Sequence, residues 1–222
     1  MIITATKPFE EILKSLEGAS KVFIVGCGEC STTCKTGGER EVKGMLETLH
    51  KNGKVVTGWV VPNAPCVAAQ VAASFAKHIK EIKEADSILS LTCGLGVQSI
   101  KNNLRFDKPV RTALNTTFMG AMDKVGNIHE YCRACSDCVL NWTGCICPIT
   151  RCPKNLLNGP CGGPKNGKCE VDRDKDCAWV LIYNELKRTN KLDNLKEIRP
   201  PKDWSKTTKP HQLILVNEKN RV

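Results

Sequence analysis

The stretch KVFIVGCGECSTTCKTGGEREVKGMLETLHKNG, residues 21–53, indicates the fold of the first half of the chain. It opens with a short apolar run that is typical of a buried strand, and a glycine-rich turn follows. The stretch then places Val42, Leu46 and Leu49 at helical spacing and stops at Gly53. A strand, a turn and a helix in this order predict the beginning of a strand–helix–strand unit.

The same alternation continues to about residue 125. The segments VVTGWVV (55–61), SILSLT (87–92) and PVRTALN (109–115) have the composition of strands, and 67–85 and 96–104 between them have that of helices. Strands that alternate with helices predict an α/β domain with a mostly parallel, Rossmann-like sheet and helices on both faces.

Five cysteines follow the ends of the first three predicted strands. Because the carboxyl ends of parallel strands share one edge of a sheet, we expect these thiols to meet there and to hold a metal cluster. Whether Cys66 or Cys93 completes the set stays open, as does the alternative that Cys66 is an inert buried thiol and Cys93 a free one. The five residues are Cys27, Cys30, Cys34, Cys66 and Cys93.

The composition and periodicity of the sequence change at about residue 126. Periodicity disappears, and Cys, Gly and Pro dominate until AWVLIYNELKRT (178–189), which predicts one helix. A segment with so little apolar periodicity needs metal crosslinks in place of a large core. We therefore expect an α/β domain over 1–125, a small Cys-rich, metal-stapled domain over 126–190 and an extended C-terminal arm over 191–222.

The fourteen cysteines raise the choice between disulfides and metal thiolates. The first residues contain Lys7, Glu10 and Glu11 where a secretory signal needs an unbroken apolar run, and no stretch near eighteen apolar residues predicts a membrane span. Cysteines in a reducing cytosol more often bind metal than pair. We therefore expect a cytoplasmic protein without a membrane span, whose cysteines are metal ligands.

The run Cys132-x2-Cys135-x2-Cys138 is typical of the opening of a bacterial ferredoxin motif, whose remaining ligand is often followed by proline. Cys147-Pro148 and Cys152-Pro153 lie downstream, although Cys147 comes later than in a ferredoxin. Two 4Fe-4S clusters need eight thiolates, and the segment has nine. Cys145 is only two residues from Cys147, so we predict that Cys145 is the surplus thiol that binds no metal. The remaining three candidates are Cys161, Cys169 and Cys177.

Zinc is the main alternative to iron and sulfide. Tetrahedral sites of four cysteines are common, and the spacing allows one zinc site in place of a cluster. We expect two to three 4Fe-4S clusters in the whole chain, with one zinc ion in place of a cluster as the alternative.

The sequence predicts no catalytic centre. The net charge of +10 suits nucleic acid, acidic lipids or an acidic protein partner. Base stacking needs exposed aromatic residues, and the Cys-rich segment has only Tyr131 and Trp142 before Trp179, so nucleic-acid binding is not expected. Gly26-x-Gly28 begins like a dinucleotide motif, but Ser31 stands where the third glycine belongs. No catalytic triad, paired carboxylates, phosphate loop, or flavin or folate site is recognisable, so the pattern is that of an electron relay.

Residues 158–186, NGPCGGPKNGKCEVDRDKDCAWVLIYNEL, resemble the C-terminal domain family of methylenetetrahydrofolate reductase. The front half, with VGCGECSTTCKTGG and LTCGLGVQSI, resembles the rest of the small iron–sulfur subunit that partners this reductase in acetogenic anaerobes. The resemblance implies a non-catalytic subunit of an oxidoreductase complex in the Wood–Ljungdahl pathway of one-carbon metabolism. It also implies metal-ligand roles for every candidate cysteine above except Cys145.

The partners implied by the resemblance are a ferredoxin or larger redox complex as electron donor and a flavin-containing barrel subunit as acceptor. That subunit reduces 5,10-methylenetetrahydrofolate to 5-methyltetrahydrofolate. Two other functions stay open from the residues alone. One is a zinc-stapled module that binds nucleic acid or protein. The other is a thiol- or corrinoid-linked methyl-transfer protein with a reactive Cys66 or Cys93.

Overall fold

The computed structural model describes residues 1–213. The chain forms two compact units, Met1–Gly120 and Ala121–Val222. The end of the predicted arm, residues 214–222, lies outside the described residues.

The strands of the described part are β1 (Ile2–Thr6), β2 (Lys21–Val25), β3 (Val55–Val60), β4 (Ser87–Ser90), β5 (Val110–Thr112), β6 (Leu114–Met122) and β7 (Ile128–Glu130). The helices are α1 (Phe9–Ser15), α2 (Cys30–Thr33), α3 (Glu39–Lys51), α4 (Ala68–Ala76), α5 (Ile79–Glu84), α6 (Gly94–Asn103), α7 (Pro148–Arg151) and α8 (Ala178–Arg188). Two 3-10 turns follow, Leu192–Lys196 and Trp204–Thr207.

The main sheet of the first unit is parallel, with the strand order β3-β2-β4-β5. Alternate residues of β2 enter different cores, because successive side chains of a strand point to opposite faces. Val22 and Ile24 pack with Leu49 of α3, whereas Phe23 and Val25 pack with helices α4, α5 and α6. The predicted parallel sheet with helices on both faces is therefore confirmed.

The predicted helix over 67–85 is two helices, α4 and α5. At the break, the N–H of His78 donates to the carbonyl of Phe75, three residues back, at 3.0 Å. This tighter turn redirects the chain, and both Phe75 and Ile82 are buried in the same core. The prediction of a single helix was wrong because the apolar spacing continues where the helix axis changes direction.

A second sheet, of order β1-β6-β7, was not predicted. Strand β1 pairs antiparallel with β6, with Thr4 opposite Thr116. The predicted strand over 109–115 is divided at Ala113, so that β5 joins the parallel sheet and β6 joins the antiparallel one. Strand β1 was missed because its five residues, IITAT, carry too little period-2 pattern to distinguish a strand from a loop.

The second unit has little regular structure but does contain a small core. Trp179, Ile182 and Leu186 of α8 are buried and pack against Trp142. The two indole rings are 6.0 Å apart in an edge-to-face arrangement at 74°, which is a favourable geometry for aromatic pairs. Leu192 of the first 3-10 turn packs against this cluster, so the beginning of the C-terminal arm lies on the second unit.

No helix within residues 1–213 is both long enough and apolar enough to cross a membrane.

Candidate metal centres

The front cysteines lie at the carboxyl-terminal edge of the parallel sheet. Cys27 follows β2 and is buried, and Cys30 begins α2. Cys66 follows β3 and is exposed. Cys93 follows β4, is buried, and is the N-cap residue of the ten-residue helix α6.

The pKa of the Cys66 thiol is raised above its usual value, chiefly because its sulfur is partly desolvated although the residue as a whole is exposed. A backbone hydrogen bond opposes the rise, and the charges of Cys93, Cys27 and Cys30 add to it. Like charges act on each other only at short range in a screened protein environment. Cys93, Cys27 and Cys30 therefore lie within electrostatic range of Cys66.

Cys34 contacts strand β1, as Cys30 does. Its Sγ lies 3.9 Å from the carbonyl oxygen of Ile2 in β1, to which the thiol donates. The N–H of Ile2 in turn donates to the Sγ of Cys30 at 3.5 Å. Strand β1, which the sequence did not reveal, thus contacts two of the predicted ligands.

Close backbone packing fixes the front loop. The N–H of Cys27 donates to the carbonyl of Gly37 at 2.8 Å. A Cβ atom at Gly37 would lie 1.9 Å from the carbonyl oxygen of Leu91, so only glycine fits there. In the same loop, the hydroxyl of Ser31 is fully buried and has no hydrogen-bond partner among residues 1–213. A buried hydroxyl donor without a partner, one residue after Cys30, is compatible with an anionic iron–sulfur group in this loop.

Four cysteines of the second unit line one narrow cavity with Trp179 and Pro164. Cys169 and Cys177 are buried, whereas Cys161 is exposed. The backbone fixes the buried pair, since the N–H of Cys169 donates to Lys175 at 2.9 Å and that of Cys177 to Gly167 at 2.8 Å. The four cysteines of this cavity, called the rear thiol group below, are Cys152, Cys161, Cys169 and Cys177.

The run from Cys132 to Cys138 is a tight loop. Ala134 and Ser136 both adopt left-handed backbone conformations, with φ of 53° and 57°, which non-glycine residues rarely occupy. The N–H of Ala134 donates to the Sγ of Cys132 at 3.4 Å. The Sγ of Cys135 lies 3.8 Å from the carbonyl oxygen of Asp137. These two left-handed residues turn the backbone sharply between the three cysteines.

Cys147 and Cys145 lie downstream of this loop and differ in setting. Cys147 is half-buried and is the N-cap of α7, and its thiol donates to the Thr150 hydroxyl at 3.6 Å. Cys145 is exposed, has a φ of 64°, and lies outside the cavity of the rear thiol group. The prediction that Cys145 is the surplus thiol stays a prediction.

All fourteen cysteines are free thiols in the structure. Among residues 1–213, no three Cys, His, Asp or Glu side chains stand close enough together to hold a single metal ion. Thiolate sulfur is nevertheless the donor that both iron–sulfur clusters and structural zinc accept. The kind and number of metal groups therefore stay predictions.

A second, larger cavity of about 450 Å³ adjoins the rear thiol group. Its walls are mainly apolar and include Trp142, Tyr183 and Ile198. Trp179 lines both this cavity and that of the thiols, so the two spaces share one aromatic wall. Sequence analysis did not predict this cavity, although two glycines of NGPCGG, Gly159 and Gly162, line it.

Comparison with known proteins agrees with the resemblance in the second half of the chain. Residues 111–205 match the family described as "Methylene-tetrahydrofolate reductase C terminal". The match covers less than half of the chain. The matched segment contains all nine cysteines of the second unit, whereas the five front cysteines precede it. No curated protein and no solved structure matches the chain.

Proposed function

We propose that this chain is an electron-transfer iron–sulfur subunit that serves a methylenetetrahydrofolate reductase. The observation that carries the proposal is the convergence of Cys152, Cys161, Cys169 and Cys177 on one cavity within the segment related to that reductase. Four thiolates from separated loops are the ligand set of a 4Fe-4S cluster. Clusters held there would supply one-electron transfer between a donor and an acceptor.

The protein's own residues would hold three such groups. We assign Cys27, Cys30, Cys66 and Cys93 to the front site because they follow the neighbouring parallel strands β2, β3 and β4, and Cys66 lies within electrostatic range of the other three. The rear thiol group is the second site. The third set is the loop from Cys132 to Cys138 completed by Cys147. A zinc ion in place of one cluster is the alternative that the donor set also accepts.

The proposed donor is a ferredoxin or a larger redox complex, and the proposed acceptor is the flavin of a separate barrel subunit. The net charge of +10 supports an acidic partner, since charge complementarity raises association rates. The cavity beside Trp179 supports an exit point for electrons, because a planar apolar ring seated there would be one side chain away from the rear thiol group.

Metal analysis of protein purified without oxygen tests the assignment. We expect iron and acid-labile sulfide in equal amounts, about eight to twelve of each per chain, with broad visible absorption that bleaches on reduction. Less than about four iron per chain, or zinc as the main metal, would contradict the relay and favour a zinc-stapled module.

The exit point has its own test. In the double variant Tyr183→Glu with Ile198→Glu, two carboxylates stand at the mouth of the apolar cavity, so electron transfer from the reduced protein to the reductase flavin should slow at least about tenfold. Stopped-flow absorbance measures the rate, and Val125→Glu, at an exposed apolar residue away from this cavity, is the control. An unchanged rate with normal iron content would remove the cavity from the route.

A further inference from the structure

Lys202 in the C-terminal arm is buried, which is unusual for lysine. Its side chain is only 3% exposed. The ammonium donates a hydrogen bond to the backbone carbonyl of Asp137 and lies 3.7 Å from the carboxylate of the same residue. Asp137 stands between Cys135 and Cys138, so the arm carries a buried positive charge into the three-cysteine loop.

The carbonyl oxygen of Asp137 is the meeting point of this charge and a thiol. It accepts the hydrogen bond from Lys202, and the Sγ of Cys135 lies 3.8 Å from it. The ammonium and the sulfur are therefore neighbours across a single oxygen atom.

Aromatic and cationic contacts hold the arm over the loop. The guanidinium of Arg133 lies over the ring of Trp204, 5.8 Å from its centroid. The Lys202 ammonium is 5.9 Å from the same centroid. A second lysine, Lys206, approaches the Asp137 carboxylate only to 4.0 Å, and its side chain is 52% exposed. Water therefore screens the charge of Lys206, whereas it screens the buried charge of Lys202 much less.

We propose that Lys202 is a positioning residue that raises the reduction potential of the group bound by Cys132, Cys135 and Cys138. The inference rests on the proposed function, because it requires a redox-active cluster on this loop. Reduction adds one electron to a site that thiolates already make anionic. A nearby buried cation stabilises the added negative charge more than an exposed one does, because little water screens it. Charge and hydrogen bonding around the sulfurs are known determinants of cluster potential.

The Asp137 carboxylate acts in the opposite direction. Its negative charge, 3.7 Å from the Lys202 ammonium, offsets part of the positive charge that the cluster experiences. Replacing the Asp137 carboxylate by a neutral group keeps the backbone carbonyl that binds Lys202. The positive charge of the ammonium is then no longer partly cancelled by a nearby negative charge. Two substitutions at one contact are thus expected to shift the potential in opposite directions.

The experiment is a redox titration, followed by electron paramagnetic resonance, of the full chain purified without oxygen. We expect Lys202→Met to lower the midpoint potential of one cluster and leave the others unchanged. Lys202→Arg keeps the positive charge, so its midpoint potential should stay close to that of the wild type. Lys206→Met, the exposed cation near the same carboxylate, should lower the potential by much less, and Asp137→Asn should raise it.

A purely mechanical role for Lys202 predicts a different result. The arm would then loosen in Lys202→Met, with faster proteolysis between residues 199 and 207, while the potentials of all clusters stayed equal to those of the wild type. That result would overturn the inference and leave the relay intact. If Lys202→Met loses its cluster, the potential of Asp137→Asn becomes the deciding measurement. An unchanged or lowered potential in Asp137→Asn would overturn the inference. A wild-type protein without any cluster signal would instead contradict the proposed function itself.

Discussion

Trp142 and Asn194 form a reciprocal pair of hydrogen bonds between the Cys-rich segment and the C-terminal arm. The indole Nε1 of Trp142 donates to the carbonyl oxygen of Asn194 at 2.6 Å, and the Nδ2 of Asn194 donates to the carbonyl oxygen of Trp142 at 3.0 Å. Trp142 also packs in the core of the second unit. The arm therefore closes the small core that surrounds the rear thiol group.

Replacing Asn194 by alanine should loosen this closure. The variant loses the side-chain donor and leaves the partly buried Trp142 carbonyl without it, so we expect a loss of about 1–2 kcal/mol in the free energy of unfolding of the second unit. Urea unfolding followed by tryptophan fluorescence measures it. Asn102→Ala is the control, because Asn102 is an exposed residue of helix α6. Equal unfolding midpoints for the two variants would refute a role for this pair.

Cys135 and Cys145 should respond differently to replacement by serine. Cys135 lies in the three-cysteine loop, whereas Cys145 is exposed and is the predicted surplus thiol. We expect Cys135→Ser to lose about four iron atoms per chain and to expose its loop, because ligand binding and local folding are one event in a metal-stapled segment. Cys145→Ser should keep its full iron content. Iron analysis with limited proteolysis measures both, and iron loss on replacement of Cys145 would reverse the assignment.

The front site offers a comparable pair in Cys93 and Cys34. The charge of Cys93 acts on Cys66, whereas the Cys34 thiol donates to the carbonyl of Ile2. We therefore expect Cys93→Ser to remove the front cluster and Cys34→Ser to retain it. The paramagnetic signals of the reduced protein, counted against iron content, measure this. Loss of the cluster in Cys34→Ser with retention in Cys93→Ser would show that Cys34 is the ligand.

Gly37 should tolerate no side chain. A Cβ atom there would lie 1.9 Å from the Leu91 carbonyl oxygen, so Gly37→Ala must displace backbone of the front loop. We expect a loss of about 3 kcal/mol or more in stability. Gly44→Ala is the matched control, because Gly44 lies within α3 and a Cβ there meets nothing within 4 Å. That control should gain about 0.5–1 kcal/mol from helix propensity. Thermal unfolding measures both changes, and a neutral Gly37→Ala would contradict the close packing.

Asp123 should make stability depend on acidic pH. Its pKa is lowered from 3.8 to about 2, chiefly by the hydrogen bond from His129 Nε2 at 2.9 Å and also by the backbone N–H groups of Asn127 and Val125. Because the folded pKa lies below the ordinary value, the ionised carboxylate stabilises the folded chain above about pH 4. This contribution is lost as the pH falls toward about 2.

The difference in urea midpoint between wild type and Asp123→Asn measures that contribution. We expect the difference to be present at pH 5 and to shrink toward zero at pH 2.5. Asp107→Asn, at a fully exposed carboxylate 3.9 Å from the Lys101 ammonium, controls for the loss of an exposed surface charge. A difference that grew on acidification would contradict the sign of the pKa shift.

Local sequence patterns predicted the parallel sheet correctly. The run KVFIV and the helical spacing of Val42, Leu46 and Leu49 depend on contacts within a few residues, and alternation of such segments permits few topologies. The same local logic failed at Lys77 and His78, where the apolar spacing continues through a change of helix axis.

By itself, the sequence determined the composition of the site: fourteen cysteines, most of them in short runs after strands or in a Cys-rich segment. Only the tertiary structure decided how they group. Cys152 and Cys177 share a cavity, and the charge of Cys93 helps to raise the pKa of Cys66, because loops that are distant in sequence fold close to one another. The burial of Lys202 beside Cys135 was equally invisible, since a lysine in polar sequence has no periodic signal and only the packing of the arm removes it from water.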